Sequence, residues 1–311
     1  MTSSKLNTKQ QVASIWQLGG LSVGQLSRAI WNEIIDGDIS SQASGLAFNF
    51  ILALFPLLLF FVSVFGLFAA RGSELHASLF LYLSRVLPPS AFHLVNTTIA
   101  EIVKNSSGGK ITFGIITALW FASGGMSSIM SALNGSYLIH EHRSWIRVRI
   151  IAIILTVAIS VLTISALVLI LIGNASAVFL RARVQFGPQL ATAWDIFQYP
   201  VALLFVVVSF SLIYFYGPDL KEQHWYWITP GSLVGVILWL SASLGFRAYL
   251  HFFNSYGRTY GSLGAVIALL IWLYVTGFAF LLGGKVNAEI EHAAAEHGHP
   301  EAKAPGERRA A

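Results

Sequence analysis

The chain contains no cysteine. That excludes disulfides, thiol catalysis and thiolate metal sites. Charge is also scarce. Asp, Glu, Lys and Arg make up 11% of the 311 residues, against roughly 25% in a soluble globular protein. Also missing are a phosphate loop GxxxxGK(S/T), an HExxH pair, a Ser-centred nucleophile elbow and paired carboxylates inside an apolar run. ATP-driven pumping by this chain alone is excluded by the lack of a nucleotide loop. The other gaps remove the usual zinc-protease and serine-hydrolase arrangements. The expectation is therefore a non-enzyme with no cofactor and no metal site.

What is present is apolar. Hydrophobic residues reach 55% and the mean hydropathy is +0.68. Long uncharged runs at this composition predict an all-α integral membrane protein crossing the bilayer several times. The clearest run is Ser262–Gly284, 23 residues without a formal charge. As a helix it reaches about 34 Å, enough for a hydrocarbon core of about 30 Å. A Tyr/Gly turn, Tyr256 to Gly261, precedes it, and Lys285-Val286-Asn287-Ala288-Glu289 closes it. Five further runs, 46–70, 111–133, 150–172, 196–216 and 228–246, bring the expected transmembrane helices to six.

Six spans put both termini on one side. Eleven of the nineteen Lys and Arg then fall on that side and eight on the other, which favours cytoplasmic termini. The net charge of +5 reads as anchoring at anionic lipid rather than nucleic-acid binding. The expected organisation is a disordered cytoplasmic tail over 1–20, one six-span membrane domain over 21–292, and a second disordered tail over 293–311. The residues before Leu46 are mostly polar, so no cleavable signal is expected and the first span serves as its own insertion signal.

Outside the spans, Ser22 and Gln25 have capping-box spacing, and Leu26, Ile30 and Ile34 form one apolar stripe. This predicts an amphipathic interfacial helix, lying either on the bilayer or on the protein's own cytoplasmic face. Residues 71–110 are too long to be a structureless loop. They predict an external helical hairpin, broken at Pro88-Pro89, which offers a surface to an envelope protein partner.

Several residues stand out as candidates. Pro56 falls mid-span, where it removes a backbone hydrogen bond and predicts a kink. Gly231 and Gly235 form a GxxxG pair, and Gly283-Gly284 permits close helix approach. These faces serve intramolecular packing or a dimer equally. Asn134, Tyr137, Glu141 and Arg143 cluster at one helix end. Glu141 and Arg143 are only two apart, not the four that pairs them on a helix. Arg143 is therefore expected either to anchor the positive-inside face or to meet a lipid phosphate or a carboxylate elsewhere. Arg247, near the end of the fifth span, either snorkels to the interface or lines a polar cavity. Asn287 either lines a cavity mouth or caps its helix. Asn49 is a polar contact or an interfacial residue.

FNFILALFPLLLFF in the first span, LWFASG, ALNGSY and EHRSW around the second loop, YFYGPD, and YGSLGAVIALLIWLY with GGKVNAEIE in the sixth span resemble the YihY/BrkB family of bacterial inner-membrane proteins. The likeness covers roughly residues 25–292. It implies a six-span envelope protein, although the family has carried a ribonuclease label. Some members are associated with serum resistance or with lipid A precursor export. Matching motif positions are Pro56, Asn134, Tyr137, Arg143, Pro218, Tyr256, Gly257, Gly261, Trp272 and Asn287. The expected function is a transporter or flippase-like protein for a lipid or amphipathic envelope component, with membrane lipids as partners. Arg143 and Arg247 would meet head groups, with Asn134, Tyr137, Tyr256 and Asn287 beside them. Gly231, Gly235, Gly257, Gly261 and Pro56 would be structural. The alternative is a non-transporting envelope scaffold.

Overall fold

The computed structural model describes residues 15–36, 38–69, 81, 108–183, 187–221, 228–252, 256–299 and 302–308. Among the described residues the fold is all-helical, with no strand. A short 3-10 turn, Leu18–Gly20, leads into α1 (Val23–Asp36), α2 (Ile39–Ala69), α3 (Gly108–Ser136), α4 (Trp145–Arg183), α5 (Gly187–Tyr216), α6 (Pro230–Phe252) and α7 (Tyr256–Glu296). The hairpin expected over 71–110 lies outside the described residues, apart from Leu81 and its last three residues, which open α3. The side chain of Pro56 also lies outside the description.

Helix is the expected backbone for these runs, because in hydrocarbon every N–H and C=O must find its partner within the segment. Among the described residues, four helical stretches are long and apolar enough to cross a membrane: Trp145–Ile170, Thr192–Tyr216, Pro230–Tyr249 and Val266–Glu296. Helices α2 and α3 cover the first two expected runs.

The helices outrun the apolar segments that located them. Arg181 and Arg183, which follow the apolar run 150–172, belong to α4, and residues Tyr256 to Gly261, expected as a turn, are the first helical residues of α7. Hydropathy marks where a helix is apolar, not where its hydrogen-bonding ends. At 41 residues, α7 is about 62 Å long.

Packing divides the chain into two compact units. The first holds Met1–Ile51, Gly125–Leu155 and Val206–Ala311, and the second Leu52–Gly124 and Thr156–Phe205. In the second, Ala166, Ala202, Ser123 and Gln198 are buried, while Val157, Val161 and Leu167 of α4 are exposed. The site lies wholly in the first unit.

In the first unit, the capping box at Ser22 and Gln25 forms as expected. The Ser22 N–H donates to Gln25 Oε1 at 2.8 Å and the Gln25 N–H to Ser22 Oγ at 3.3 Å. Helix α1 turns the buried Ile30 inward and packs on α7. Glu33 beside it pairs with Lys285 of α7 at 2.9 Å. On the side away from α7, Trp31 and Ile35 are exposed.

The two tails differ from expectation where they are described. Gly19 is buried against Ile290 and Ala294 of α7, with a positive φ of 63°. Helix α7 continues to Glu296, and Lys303 is buried and paired with Glu291 at 3.0 Å. Polar composition suggested disorder, but these residues find fixed partners on helix ends, which composition does not register.

Candidate functional site

Helix α3 ends at Ser136, and Leu138 follows with φ +57°, the left-handed conformation that closes many helix C-termini. The turn aims the next residues back at α3. Asn134, nearly buried, donates from Nδ2 to Glu141 Oε2 at 2.9 Å and accepts the Asp219 N–H on Oδ1 at 2.7 Å.

Arg143 completes the junction. It donates to Glu141 from its backbone N–H at 2.9 Å, from Nε at 2.8 Å and from Nη2 at 2.7 Å. It also donates from Nη1 to the Tyr216 carbonyl at 3.3 Å and from Nη2 to the Gly217 carbonyl at 2.8 Å. Those carbonyls terminate α5, where a helix leaves acceptors unsatisfied. The spacing argument against a Glu141–Arg143 pair therefore fails, because the segment between α3 and α4 is not helical and the i,i+4 rule does not govern it. With its side chain 7% exposed, Arg143 spends its donors inside the protein.

Asp219 lies 3.8 Å from Arg143 Nε, accepts the His142 N–H at 3.0 Å and pairs with Arg308. The C-terminal residues cross this junction as a strap. The Gly306 N–H donates to the Tyr137 carbonyl at 3.2 Å, the Lys221 N–H to the Arg308 carbonyl at 2.8 Å, and Arg308 Nε to the Asp219 carbonyl at 3.1 Å. Partial burial pushes the Glu141 carboxyl upward. Hydrogen bonds and charge from Arg143, with the Asn134 amide, outweigh it and hold the group below its ordinary value. Burial, aided by Glu291 and Tyr214, pushes the Tyr137 phenol well above its ordinary value. The Tyr137 ring meets His292 edge-on at 6.2 Å.

A second cluster joins α6 to α7. Asn287 Oδ1 accepts the Gly231 N–H at 2.9 Å, and its Nδ2 donates to Thr229 Oγ1 at 3.1 Å. Asn287 thus caps a helix, as one of its two expected roles had it, but the helix is α6 rather than its own. A Cβ on Gly235 would lie 2.7 Å from the Tyr214 hydroxyl, which donates to the Phe280 carbonyl at 2.8 Å. The GxxxG face and the double glycine are therefore used inside the chain, where they hold the Tyr214 tip.

Of the six candidate binding residues, the structure brings Asn134, Tyr137 and Arg143 together. Arg247 is exposed and sixteen residues along α6 from Gly231, about 24 Å away. Tyr256 opens α7 at the end opposite Asn287, and its side chain lies outside the description, as do those of Gly257 and Gly261.

Sequence reasoning missed a polar groove between α2 and α3. Gln42, Gly45, Leu46 and Asn49 line one side, and Ser128, Ser131, Ala132 and Gly135 the other, around a volume of about 400 Å³. Gln42 and Asn49 are seven apart and so share a helix face. That spacing was the available signal. Asp219 also had one, as the acid directly after the Gly217-Pro218 helix stop. Arg308 had none.

The apolar helices, the glycine-packed helix pair and the charged junction at their ends define an all-helical membrane protein. The chain belongs to the Virulence factor BrkB family, whose sequence model matches residues 30–307. It is 33% identical over 248 residues to the "Putative ribonuclease-like protein YfkH" of Bacillus subtilis, covering 80% of this chain and 88% of that one. It is 24% identical over 268 residues to a "UPF0761 membrane protein" of Xanthomonas campestris, covering 85% of this chain but 60% of that longer protein. A "UPF0761 membrane protein" of Vibrio cholerae is 25% identical over 231 residues, covering 74% of this chain and 73% of that one. No solved structure matches.

Proposed function

We propose that the protein is a six-span transporter of the bacterial inner membrane, flippase-like, that moves a lipid or amphipathic envelope component, with both termini cytoplasmic. The observation carrying this reading is the groove between α2 and α3, where Gln42, Asn49, Ser128 and Ser131 line a cavity beside the apolar length of α2. Asn49 falls inside the first expected span, where a neutral hydrogen-bonding group is costly against lipid and marks a site that meets a polar ligand or water. Arg143, committed to Glu141 and the end of α5, is a positioning residue in this reading rather than a head-group contact. The RNA-cleaving reading that the Bacillus relative's name raises gains nothing from the junction, whose carboxylates Glu141 and Asp219 are committed to Arg143 and Arg308.

The test is lipid exchange in proteoliposomes. Protein is reconstituted with a head-group-labelled lipid, and accessibility to an external quencher is followed over time. Faster equilibration than in empty liposomes, reduced by the double variant Gln42→Ala/Asn49→Ala, is expected. No acceleration by well-folded protein, with glycolipid and phospholipid probes alike, overturns the reading in favour of an envelope scaffold.

A further inference from the structure

We infer that the groove between α2 and α3 binds the uncharged, hydroxyl-bearing head group of a membrane lipid. The inference rests on reading this groove as the substrate site and adds the chemistry of what enters it. Among the described residues its polar lining is two amides and two hydroxyls, Gln42, Asn49, Ser128 and Ser131, with no charged side chain. An anionic head group would lose water there and gain no counter-charge. A polyol suits it better. Each hydroxyl both donates and accepts, and the Gln42 and Asn49 amides offer both functions in return. Among the described residues the side chains of Gln42 and Asn49 take no hydrogen-bond partner, and both line the groove.

Gly45 supports the same conclusion. A glycine inside a helix costs about 1 kcal/mol relative to alanine, so close packing usually accounts for it. Gly231 and Gly235 have such packing, but a Cβ on Gly45 would meet nothing within 4 Å. Its bare backbone faces the open groove and keeps it wide. The volume of about 400 Å³ is in the range of small-ligand sites, roughly 300 to 1,000 Å³. It holds a head group but not acyl chains. Leu46 and Ala132 share the lining and give the groove an apolar side for the part of a lipid that follows its head, a contact that a free sugar would not use.

The experiment is native mass spectrometry of the full chain released from mixed micelles. The micelles carry equimolar monoglucosyl-diacylglycerol and phosphatidylglycerol with identical acyl chains, and a parallel sample receives free glucose. The glucolipid adduct should exceed the phosphatidylglycerol adduct at least tenfold, and Gln42→Ala/Asn49→Ala should remove most of that excess, since two hydrogen bonds at about 1 kcal/mol each are worth up to roughly thirtyfold. Gly45→Leu, whose Cβ meets nothing within 4 Å among the described residues, should abolish the glucolipid adduct while leaving the melting temperature in place. Equal adducts, a phosphatidylglycerol preference, or a glucolipid adduct untouched by Gly45→Leu overturns the inference. Free glucose binding as readily as the glucolipid overturns the lipid assignment. Selective glucolipid binding without exchange in proteoliposomes sinks the transport reading and leaves this one standing.

Discussion

At the scale of single residues, the junction around Asn134 is a set of mutual obligations. Arg143 satisfies the carbonyls that end α5, Glu141 neutralises Arg143, and Asn134 ties Glu141 to the Asp219 backbone. Removing one member strands its partner, which is why buried pairs break at a higher cost than they contribute. Glu141 makes this visible through pH. Its folded-state pKa lies below the ordinary 4.5. The stability it contributes is therefore complete above that ordinary value and drains away as pH falls through the lower, folded one. Wild type should lose melting temperature below about pH 4.5 more steeply than Glu141→Gln, which lacks this titration. Parallel slopes in a detergent-solution melting series would show that the Arg143 contact does not stabilise the fold. The sequence placed Asn134, Tyr137, Glu141 and Arg143 at one helix end, but their partners Asp219 and Arg308 are 85 and 174 residues beyond Asn134. Long-range pairing of single charges leaves no periodic trace.

At the scale of elements, the helices were legible because an apolar run of about 20 residues has few alternatives to a helix in lipid. Their ends were not legible, since Lys285, Asn287 and Glu289 are polar yet still helical. The α6–α7 contact was half legible. Gly231, Gly235 and the double glycine announced close approach, but nothing in spacing chose an intramolecular partner or named Tyr214 as the side chain the notch receives. Gly235→Ala should destabilise by about 1 to 3 kcal/mol through overpacking. Adding Tyr214→Phe, which removes the hydroxyl lying 2.7 Å from the new Cβ, should recover part of the loss. A double-mutant cycle by chemical denaturation measures the coupling, and strictly additive effects would mean that the hydroxyl does not occupy the notch.

At the scale of the whole molecule, the proposed topology puts the strap and the Asn287 end of α7 in the cytoplasm and Arg247 on the opposite face. The absence of cysteine makes this directly testable, because any thiol introduced is the only one. Glu296→Cys and Arg247→Cys replace exposed residues. In right-side-out membrane vesicles an impermeant maleimide should label Cys at 247 at once and Cys at 296 only after permeabilisation. The reverse order would invert the orientation, and equal labelling would mean that the two positions share a side.

Helix α7 is about twice as long as the hydrocarbon layer is thick. A rod of that length held in a bilayer is a lever. Tilting it by about 10° around the bilayer centre carries a point about 30 Å away through about 5 Å, close to one helical pitch. The end so moved holds Asn287 against the start of α6 and Glu291 against Lys303 of the strap. A small tilt at membrane depth would therefore be enlarged by the time it reached that end.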